Sequence, residues 1–170
     1  MIVWLIGMSG SGKSTLAQKV IEDVKKIKKN ILLIDGDDFR EAFGNDLSYT
    51  LSDRKINAER IANFCKFCDR QGIHVVCAVL AIFPDILENN RNTFKNYYEV
   101  FIDAPIEHLK KRDVKGIYAK AMSKKIVNVV GVDIEFPIPK NPNLHIKNNH
   151  DIDYLLNHSE LIVNKIISDE

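Results

Sequence analysis

The chain has 170 residues, a formal net charge of +1 at pH 7, 45% hydrophobic residues and 28% charged residues. These values are typical of one globular domain with a substantial core, and the balanced charge provides no general attraction to nucleic acid or to an anionic membrane. The apolar run at residues 1–6 is too short for a signal segment or a membrane span, which predicts a cytoplasmic protein.

The first predicted element is a strand over residues 1–6, and residues 16–29 have the pattern of a helix. Between them stand Gly7-Met8-Ser9-Gly10-Ser11-Gly12-Lys13-Ser14 and then Thr15. This run fits the P-loop pattern G-x-x-x-x-G-K-[ST] in its strand–loop–helix context. Backbone N–H groups of such a loop and the helix N-terminus converge on an anion, which predicts a triphosphate site. A simple Gly/Ser turn is disfavoured because the glycines, the lysine and the hydroxyl all coincide.

The remaining elements alternate along the chain. We expect strands over residues 31–34, 73–82, 97–103 and 144–147, and helices over residues 53–71, 84–96, 105–112 and from the N-cap Asp151 onward. This alternation predicts a three-layer α/β/α P-loop NTPase fold, a parallel sheet with helices on both faces. Residues 113–143 have weaker periodicity and are predicted to be a mobile lid over the site. Without a linker or repeat, residues 1–170 are expected to form a single domain.

The helix over residues 53–71 has Ile56, Arg60, Phe64 and Phe67 at helical spacing. It also contains the C-x-x-C pair Cys65 and Cys68, but no second Cys/His pair stands at zinc-site spacing. We predict that these two cysteines and Cys77 are small core residues. The histidines converge in no motif and are expected at the surface or at strand ends: His74, His108, His145, His150 and His158.

Carboxylates follow the second strand, where Asp35 and Asp37 stand at the sheet edge that binds ligands in open α/β folds. No guanine-recognition motif N/T-K-x-D is present, which disfavours a GTPase, and the chain is short for a motor. A small-molecule kinase needs acidic groups near the acceptor hydroxyl, basic groups near the phosphoryl and a lid that excludes water. The basic candidates are Arg40, Arg54, Arg60, Arg112 and Lys115.

Together these residues resemble the adenylylsulfate kinases. The resemblance covers residues 2 to about 147 and rests on the P-loop, Ile34-Asp35-Gly36-Asp37-Asp38-Phe39-Arg40, Asp53-Arg54 with Asn57 and Arg60, Arg112-Asp113-Val114-Lys115-Gly116-Ile117-Tyr118, and Gly131-Val132-Asp133 with Pro137 and Pro139. That family transfers the γ-phosphoryl group of MgATP to the ribose 3′-hydroxyl of adenylyl sulfate. The resemblance implies this reaction type, ATP and Mg²⁺ as cofactors, a small-molecule nucleotide acceptor and a homodimer.

The resemblance also implies donor-side roles. Lys13 and Ser14 would hold the phosphates and Mg²⁺ within the loop Gly7 to Thr15, and Arg112 and Lys115 would belong to the lid over the phosphates. Asp37 would lie beside the acceptor hydroxyl as base or orienting group. Asp35 would support Asp37 or order the waters of the metal, and a turn carboxylate that accepts loop N–H groups is an equal alternative.

On the acceptor side, Arg40, Arg54 and Asn57 resemble the family's contacts to the nucleotide, since arginine can fork onto a 5′-phosphate. Arg60 would do the same or support its helix face.

Four departures from the family pattern fall on this acceptor side. Ile82-Phe83-Pro84 replaces Ile-Ser-Pro beside the sulfate, and Val129-Val130-Gly131 replaces Phe-Thr-Gly, whose phenylalanine stacks on adenine. The opposing aromatic position is Tyr49. Glu59 replaces an arginine, and Asp85-Ile86-Leu87-Glu88 replaces later arginines. Because the donor side is intact, we expect an altered acceptor.

Cytidine diphosphoramidate, the acceptor of a family member in capsule phosphoramidate biosynthesis, fits these departures. A pyrimidine needs less stacking surface, and the phosphoramidate end offers N–H donors that Asp85 or Glu88 would accept. Two alternatives stay open. One is an adenylylsulfate kinase that makes 3′-phosphoadenylyl sulfate in sulfate assimilation, and the other is a non-catalytic nucleotide-binding module that has kept its P-loop.

Overall fold

The computed structural model describes residues 1–113, 115–149 and 151–169. Within these ranges one sheet has the strand order β2-β3-β1-β4-β5, and all neighbouring strands are parallel. The strands are β1 Ile2–Ile6, β2 Ile31–Asp35, β3 His74–Val79, β4 Tyr97–Asp103 and β5 Leu144–Lys147. Because β1 is central and buried at every position, the P-loop leaves from the middle of the sheet.

Helices cover both faces of this sheet. They are α1 Lys13–Val24, α2 Gly36–Ala42, α3 Leu51–Arg70, α4 Pro84–Thr93, α5 Ile106–Arg112, α6 Ile117–Met122, α7 Ile152–Asn157 and α8 Ser159–Ile167. Alternate residues of β1 point to opposite sides: Val3 and Leu5 pack with α1 and α8, whereas Ile2, Trp4 and Ile6 pack with α3 and α4. The predicted three-layer α/β/α fold is confirmed.

Side-chain caps explain where several helices begin. The Thr50 hydroxyl accepts a hydrogen bond from the backbone N–H of Asp53 at 3.2 Å, so α3 starts two residues before the predicted boundary. The predicted N-cap Asp151 is confirmed, because its carboxylate accepts from the N–H of Tyr154 at 2.9 Å. Strand β3 is shorter than predicted, and beyond its end Ala81 has a φ of +55°. The predicted closing helix is split into α7 and α8 at His158.

Helix α3 buries a different face from the stripe noted in the sequence. Ile56 and Phe67 are 45% and 59% exposed, and the side chains that face the sheet include Ile61, Cys65 and Cys68. Small cysteine side chains allow the helix to approach the strands closely, whereas phenylalanines on that face would hold it away. Ile56 and Phe67 therefore lie on the outer side of the helix.

The prediction that the cysteines are core residues is confirmed. All three are free and buried, with the sulfur of Cys65 3.3 Å from the sulfur of Cys77. Burial raises the pKa of the Cys77 thiol well above its ordinary value. Of the histidines, His74 is buried at the start of β3, His145 lies 3.0 Å from Asp103, and His150 falls outside the described residues.

Residues 113–143, named here the lid segment, contain more regular structure than predicted. Helix α6 lies within it, and Tyr118 and Val129 are buried in a small core with Leu109 of α5. Val114 falls outside the described residues. None of the helices in the described ranges is long and apolar enough to span a lipid bilayer.

Gly12, just before α1, is required for two reasons. It has a φ of +99°, and an added Cβ would lie 2.4 Å from Cδ2 of Leu155, which is fully buried.

We expect Gly12→Ala to lower the free energy of unfolding by roughly 2–4 kcal/mol through backbone strain and overpacking. The matched control is Gly44→Ala, where φ is +73° and nothing lies within 4 Å of the added Cβ; it should cost only about 1 kcal/mol. Urea unfolding measures both, and equal losses would contradict the packing argument.

Candidate functional site

A cavity of about 930 Å³ lies at the carboxyl ends of β1, β2 and β3, between the P-loop and the lid segment. Parallel strands end at one edge of the sheet, so residues that are distant in sequence meet there. Most of the residues singled out in the sequence line this cavity: Ser9, Gly10, Gly12, Lys13, Ser14, Thr15, Asp35, Asp37, Arg40, Tyr49, Arg54, Asn57, Ile82, Phe83, Lys115 and Val129.

Four of the predicted residues do not line the cavity. Gly7 and Ser11 are buried beneath the loop, where a Cβ on Gly7 would lie 2.7 Å from the carbonyl oxygen of Ile102. Arg60 instead forms a two-pronged ion pair with Asp46, at 3.0 and 2.9 Å. Arg112 lies at the end of α5, exposed and outside the lining. Of the two alternatives for Arg60, the structure therefore favours a helix-face role.

The expectation that Asp85 or Glu88 faces the acceptor is wrong. Asp85 forms an ion pair with Lys55 at 2.9 Å on the outer surface of α3 and α4, and neither carboxylate lines the cavity. Pro84 begins α4, and the side chains of α4 that line the cavity are the buried Ile86 and Leu87. The acidic residues of this short run consequently point away from the site.

On the P-loop side of the cavity, the ammonium group of Lys13 donates a hydrogen bond to the carbonyl oxygen of Met8 at 2.9 Å. Burial lowers the pKa of Lys13 to about 8, against the opposing charges of Asp35 and Asp37, and the nearby Lys115 lowers it further. The side chain is therefore a desolvated cation without a full counter-charge, and it would gain from a nearby anion.

Asp35 connects the P-loop to α2. One carboxylate oxygen accepts the Ser14 hydroxyl at 2.5 Å, and the other accepts the backbone N–H of Asp37 at 3.0 Å. The alternative in which Asp35 accepts a loop N–H group is therefore observed, and its other oxygen faces the P-loop hydroxyl. The cap explains why α2 begins at Gly36.

The oxygen atoms of Ser14 and Asp35 fit a magnesium ion. Mg²⁺ prefers oxygen ligands and usually keeps several waters while it binds one or two carboxylates and substrate phosphates. In the described part of the chain, no group of three or more His, Cys, Asp or Glu side chains is arranged to hold a metal alone. An ion here would accordingly depend on the phosphates of a bound nucleotide.

Across the cavity, Lys115 of the lid segment donates to the carboxylate of Asp37 at 2.5 Å. This hydrogen bond raises the pKa of Lys115 above its ordinary value. The site therefore contains two lysines, Lys13 and Lys115, close to two aspartates, Asp35 and Asp37.

Tyr49 contacts two arginines at the end of the cavity near α3. The guanidinium carbons of Arg40 and Arg54 lie 4.9 and 5.2 Å from the centre of its ring. Arg54 also donates to the carbonyl oxygens of Tyr49 at 2.9 Å and of Asn128 at 2.8 Å, so it joins α3 to the lid segment. Val129 is 6% exposed and forms part of the wall of the cavity.

Sequence reasoning assigned no role to Trp4 or Tyr118, although both line the cavity. Trp4 is 1% exposed on β1, and within the described residues neither its indole nitrogen nor the Oδ1 atom of the buried Asn57 has a hydrogen-bond partner. Tyr118 donates its hydroxyl to the carbonyl oxygen of Ser9. In the sequence, Trp4 stands out in an otherwise aliphatic strand, and Tyr118 ends the motif at residues 112–118 that resembles the adenylylsulfate kinases.

Comparison with known proteins identifies the family, since residues 1–147 match adenylylsulphate kinase. The chain belongs to the adenylylsulphate kinase family. It is 43% identical over 139 residues to the cytidine diphosphoramidate kinase of Campylobacter jejuni, a match that covers 82% of this chain and 81% of that protein. It is 36% identical over 169 residues to an adenylyl-sulfate kinase of Pseudomonas aeruginosa, which covers 98% of this chain and 83% of that protein.

A solved structure of the APS kinase CysC from Mycobacterium tuberculosis, in complex with AMPPNP and APS, superposes with a TM-score of 0.85. The two chains are 28% identical, and the match covers 98% of this chain and 97% of that one. As a member of the adenylylsulphate kinase family, the chain is an ATP-using phosphotransferase with a hydroxyl acceptor.

Proposed function

We propose that this kinase transfers the γ-phosphoryl group of MgATP to the ribose 3′-hydroxyl of a 5′-modified nucleotide, with cytidine 5′-diphosphoramidate as the preferred acceptor. The observation that carries the choice of acceptor is that Phe83 and Val129, two departures from the family pattern, both line the cavity. The 43% identity to a cytidine diphosphoramidate kinase supports the same choice. Adenylyl sulfate is the alternative acceptor, favoured by the adenylyl-sulfate kinase that matches 98% of this chain.

On the donor side, Lys13 would exchange its hydrogen bond to the Met8 carbonyl for contacts with the β- and γ-phosphates. The hydroxyl of Ser14 would bind Mg²⁺, and Asp35 would order the waters of the ion. When bound, the ion neutralises charge on the phosphate oxygens. The backbone N–H groups of the P-loop would hold the same oxygens in place.

On the acceptor side, Asp37 would orient the 3′-hydroxyl and accept its proton as the oxygen bonds to the γ-phosphorus. The bond from the γ-phosphorus to the bridging oxygen breaks, and ADP leaves with the negative charge. Lys115, already hydrogen bonded to Asp37, would stabilise charge on the transferring group. Arg40 and Arg54 would bind the 5′-group, with Tyr49 holding both guanidinium groups in place.

The lowered pKa of Lys13 predicts a pH-dependent affinity for nucleotide. Because a triphosphate favours the charged lysine, binding above pH 8 requires proton uptake, and the affinity should fall by up to about tenfold per pH unit as pH rises through 8. Calorimetry with a non-hydrolysable ATP analogue between pH 7 and 9.5 measures this. Lys13→Arg, which stays charged, should bind with a flat profile. A flat profile in the unmodified chain would contradict the assignment.

The role of Asp37 can be separated from that of its exposed neighbour Asp38, which does not line the cavity. Asp37→Asn should lower kcat by about 10²–10⁴-fold, because a general base or orienting group is lost, while the affinity for the ATP analogue changes little. Asp38→Asn should leave both values unchanged. Equal effects of the two substitutions on kcat would rule out a specific role for Asp37.

Assays of ADP release with each acceptor test the proposed substrate. We expect a higher kcat/KM with cytidine diphosphoramidate than with adenylyl sulfate. Phe83→Ser, which restores the serine of the family pattern, should shift the ratio of the two values toward adenylyl sulfate. Faster turnover of adenylyl sulfate by the unmodified chain would overturn the preference. Turnover of neither acceptor, despite tight MgATP binding, would favour a non-catalytic nucleotide-binding module.

We also infer that the described elements belong to one kinase domain of residues 1–170, with residues 113–143 as its lid. The family resemblance implies a homodimer and a small-molecule acceptor, and we expect neither nucleic acid nor a membrane as partner. In this proposal the reaction takes place in the cytoplasm.

A further inference from the structure

We propose that Tyr118 is a positioning residue that couples the lid lysine to the P-loop. The inference rests on the proposed function, because it assigns to Lys115 a place near the nucleotide phosphates. It adds a contact between the lid segment and the P-loop that has no part in the reaction proposed above. The structural basis is one buried hydroxyl and one carbonyl.

Tyr118 is 2% exposed, and its hydroxyl donates to the carbonyl oxygen of Ser9 at 2.8 Å. Burial raises the pKa of this phenol to about 12, so at neutral pH it keeps the proton that it donates. Its ring packs among Leu109, Ala121 and Val129. The side chain is therefore fixed at both its apolar and its polar end.

The Ser9 carbonyl belongs to the peptide whose N–H is that of Gly10. A trans peptide is planar, so its C=O and N–H groups point in opposite directions. Once Tyr118 fixes the carbonyl on its side of the loop, the Gly10 N–H must point the other way. Gly10 has a φ of +77°, a conformation that glycine adopts without steric cost, and the Ser11 N–H donates to the Met8 carbonyl across this turn at 3.1 Å. The hydrogen bond from Tyr118 adds a second restraint, which acts on the central peptide of the turn.

Tyr118 also lies in the first turn of α6, which the Asp113 carboxylate caps. The Asp113 carboxylate accepts hydrogen bonds from the backbone N–H groups of Tyr118 at 3.1 Å and of Ala119 at 2.9 Å. Gly116 turns the chain with a φ of +64° just before this helix. Lys115 leaves from the same turn and reaches Asp37. A shift of Tyr118 would thus move Lys115 relative to both Asp37 and the phosphates.

Tyr118→Phe removes only the hydroxyl and keeps the ring in its apolar cluster, so the variant should fold. Its affinity for a non-hydrolysable ATP analogue should fall by about two- to tenfold, the equilibrium effect of one net hydrogen bond. The matched control is Tyr98→Phe, a half-buried tyrosine of β4 that does not line the cavity, and it should bind as the unmodified chain does. Thermal unfolding of each variant checks that the folded state is retained.

A double-mutant cycle with Lys115→Ala distinguishes positioning of the lysine from a purely structural role. It compares the affinity for the ATP analogue of each single variant with that of the double variant. If Tyr118 couples Lys115 to the P-loop, part of the loss caused by the Phe substitution should disappear once the lysine is removed, so the combined loss should be smaller than the sum of the two single losses. Unchanged affinity in Tyr118→Phe, or additive losses in the double variant, would overturn the inference. The cycle needs no acceptor. A chain that phosphorylates neither acceptor would therefore defeat the proposed function while the result for Tyr118 stands.

Discussion

The carboxylate of Asp35 joins the parts of the site that come from different strands. One oxygen accepts the hydroxyl of Ser14 at the end of the P-loop, and the other caps α2 through the N–H of Asp37. Hydrogen bonds to an ionised carboxylate are short and stronger than neutral ones. The position of Asp37 relative to the P-loop depends on this side chain. The parallel strands make the contact possible, because β1 and β2 end at the same edge of the sheet.

The two lysines of the cavity have weaker partners than a nucleotide triphosphate would provide. Lys13 rests on a backbone carbonyl and Lys115 on Asp37, so the two cations have partial partners in the absence of nucleotide. Burial nevertheless lowers the pKa of Lys13, which indicates that the attraction of Asp35 and Asp37 does not offset the cost of removing the ammonium group from water. A triphosphate with its metal ion would supply the missing negative charge. In the proposed function, a bound nucleotide and the lid segment would interact electrostatically with the same four side chains.

In the part of the cavity around Tyr49, side chains are held by packing as well as by charge. Arg40 and Arg54 are held by carbonyl oxygens and by the ring of Tyr49, so their guanidinium groups are oriented before a ligand arrives. Phe83, Ile86 and Leu87 give the adjoining wall an apolar character, since the acidic Asp85 turns outward to Lys55. In the proposed function, preorganised arginines against an apolar wall, rather than carboxylates, would recognise the 5′-group.

By itself, the sequence determined the features that reside in short segments. The P-loop, the carboxylates after β2, the N-cap Asp151 and the alternation of strands and helices are local patterns, and the fold class follows from them with few alternatives. Helices α2 and α6 were missed because each has only one or two turns and depends on a carboxylate cap. The helical spacing of Ile56, Phe64 and Phe67 did not decide which face of α3 is buried, because apolar residues occur on two sides of it and only packing against the sheet selects the side with small cysteines.

Tertiary structure alone decided which charged side chains face the cavity. Arg60 and Asp85 have the right residue types and lie near the motifs, yet each is engaged by a partner outside the cavity, Asp46 and Lys55 respectively. Conversely, the contact of Tyr118 with Ser9 spans more than a hundred residues and has no local signature. The physical reason is that hydrogen bonds and ion pairs depend on distances of about 3 Å, which sequence spacing specifies only within one element.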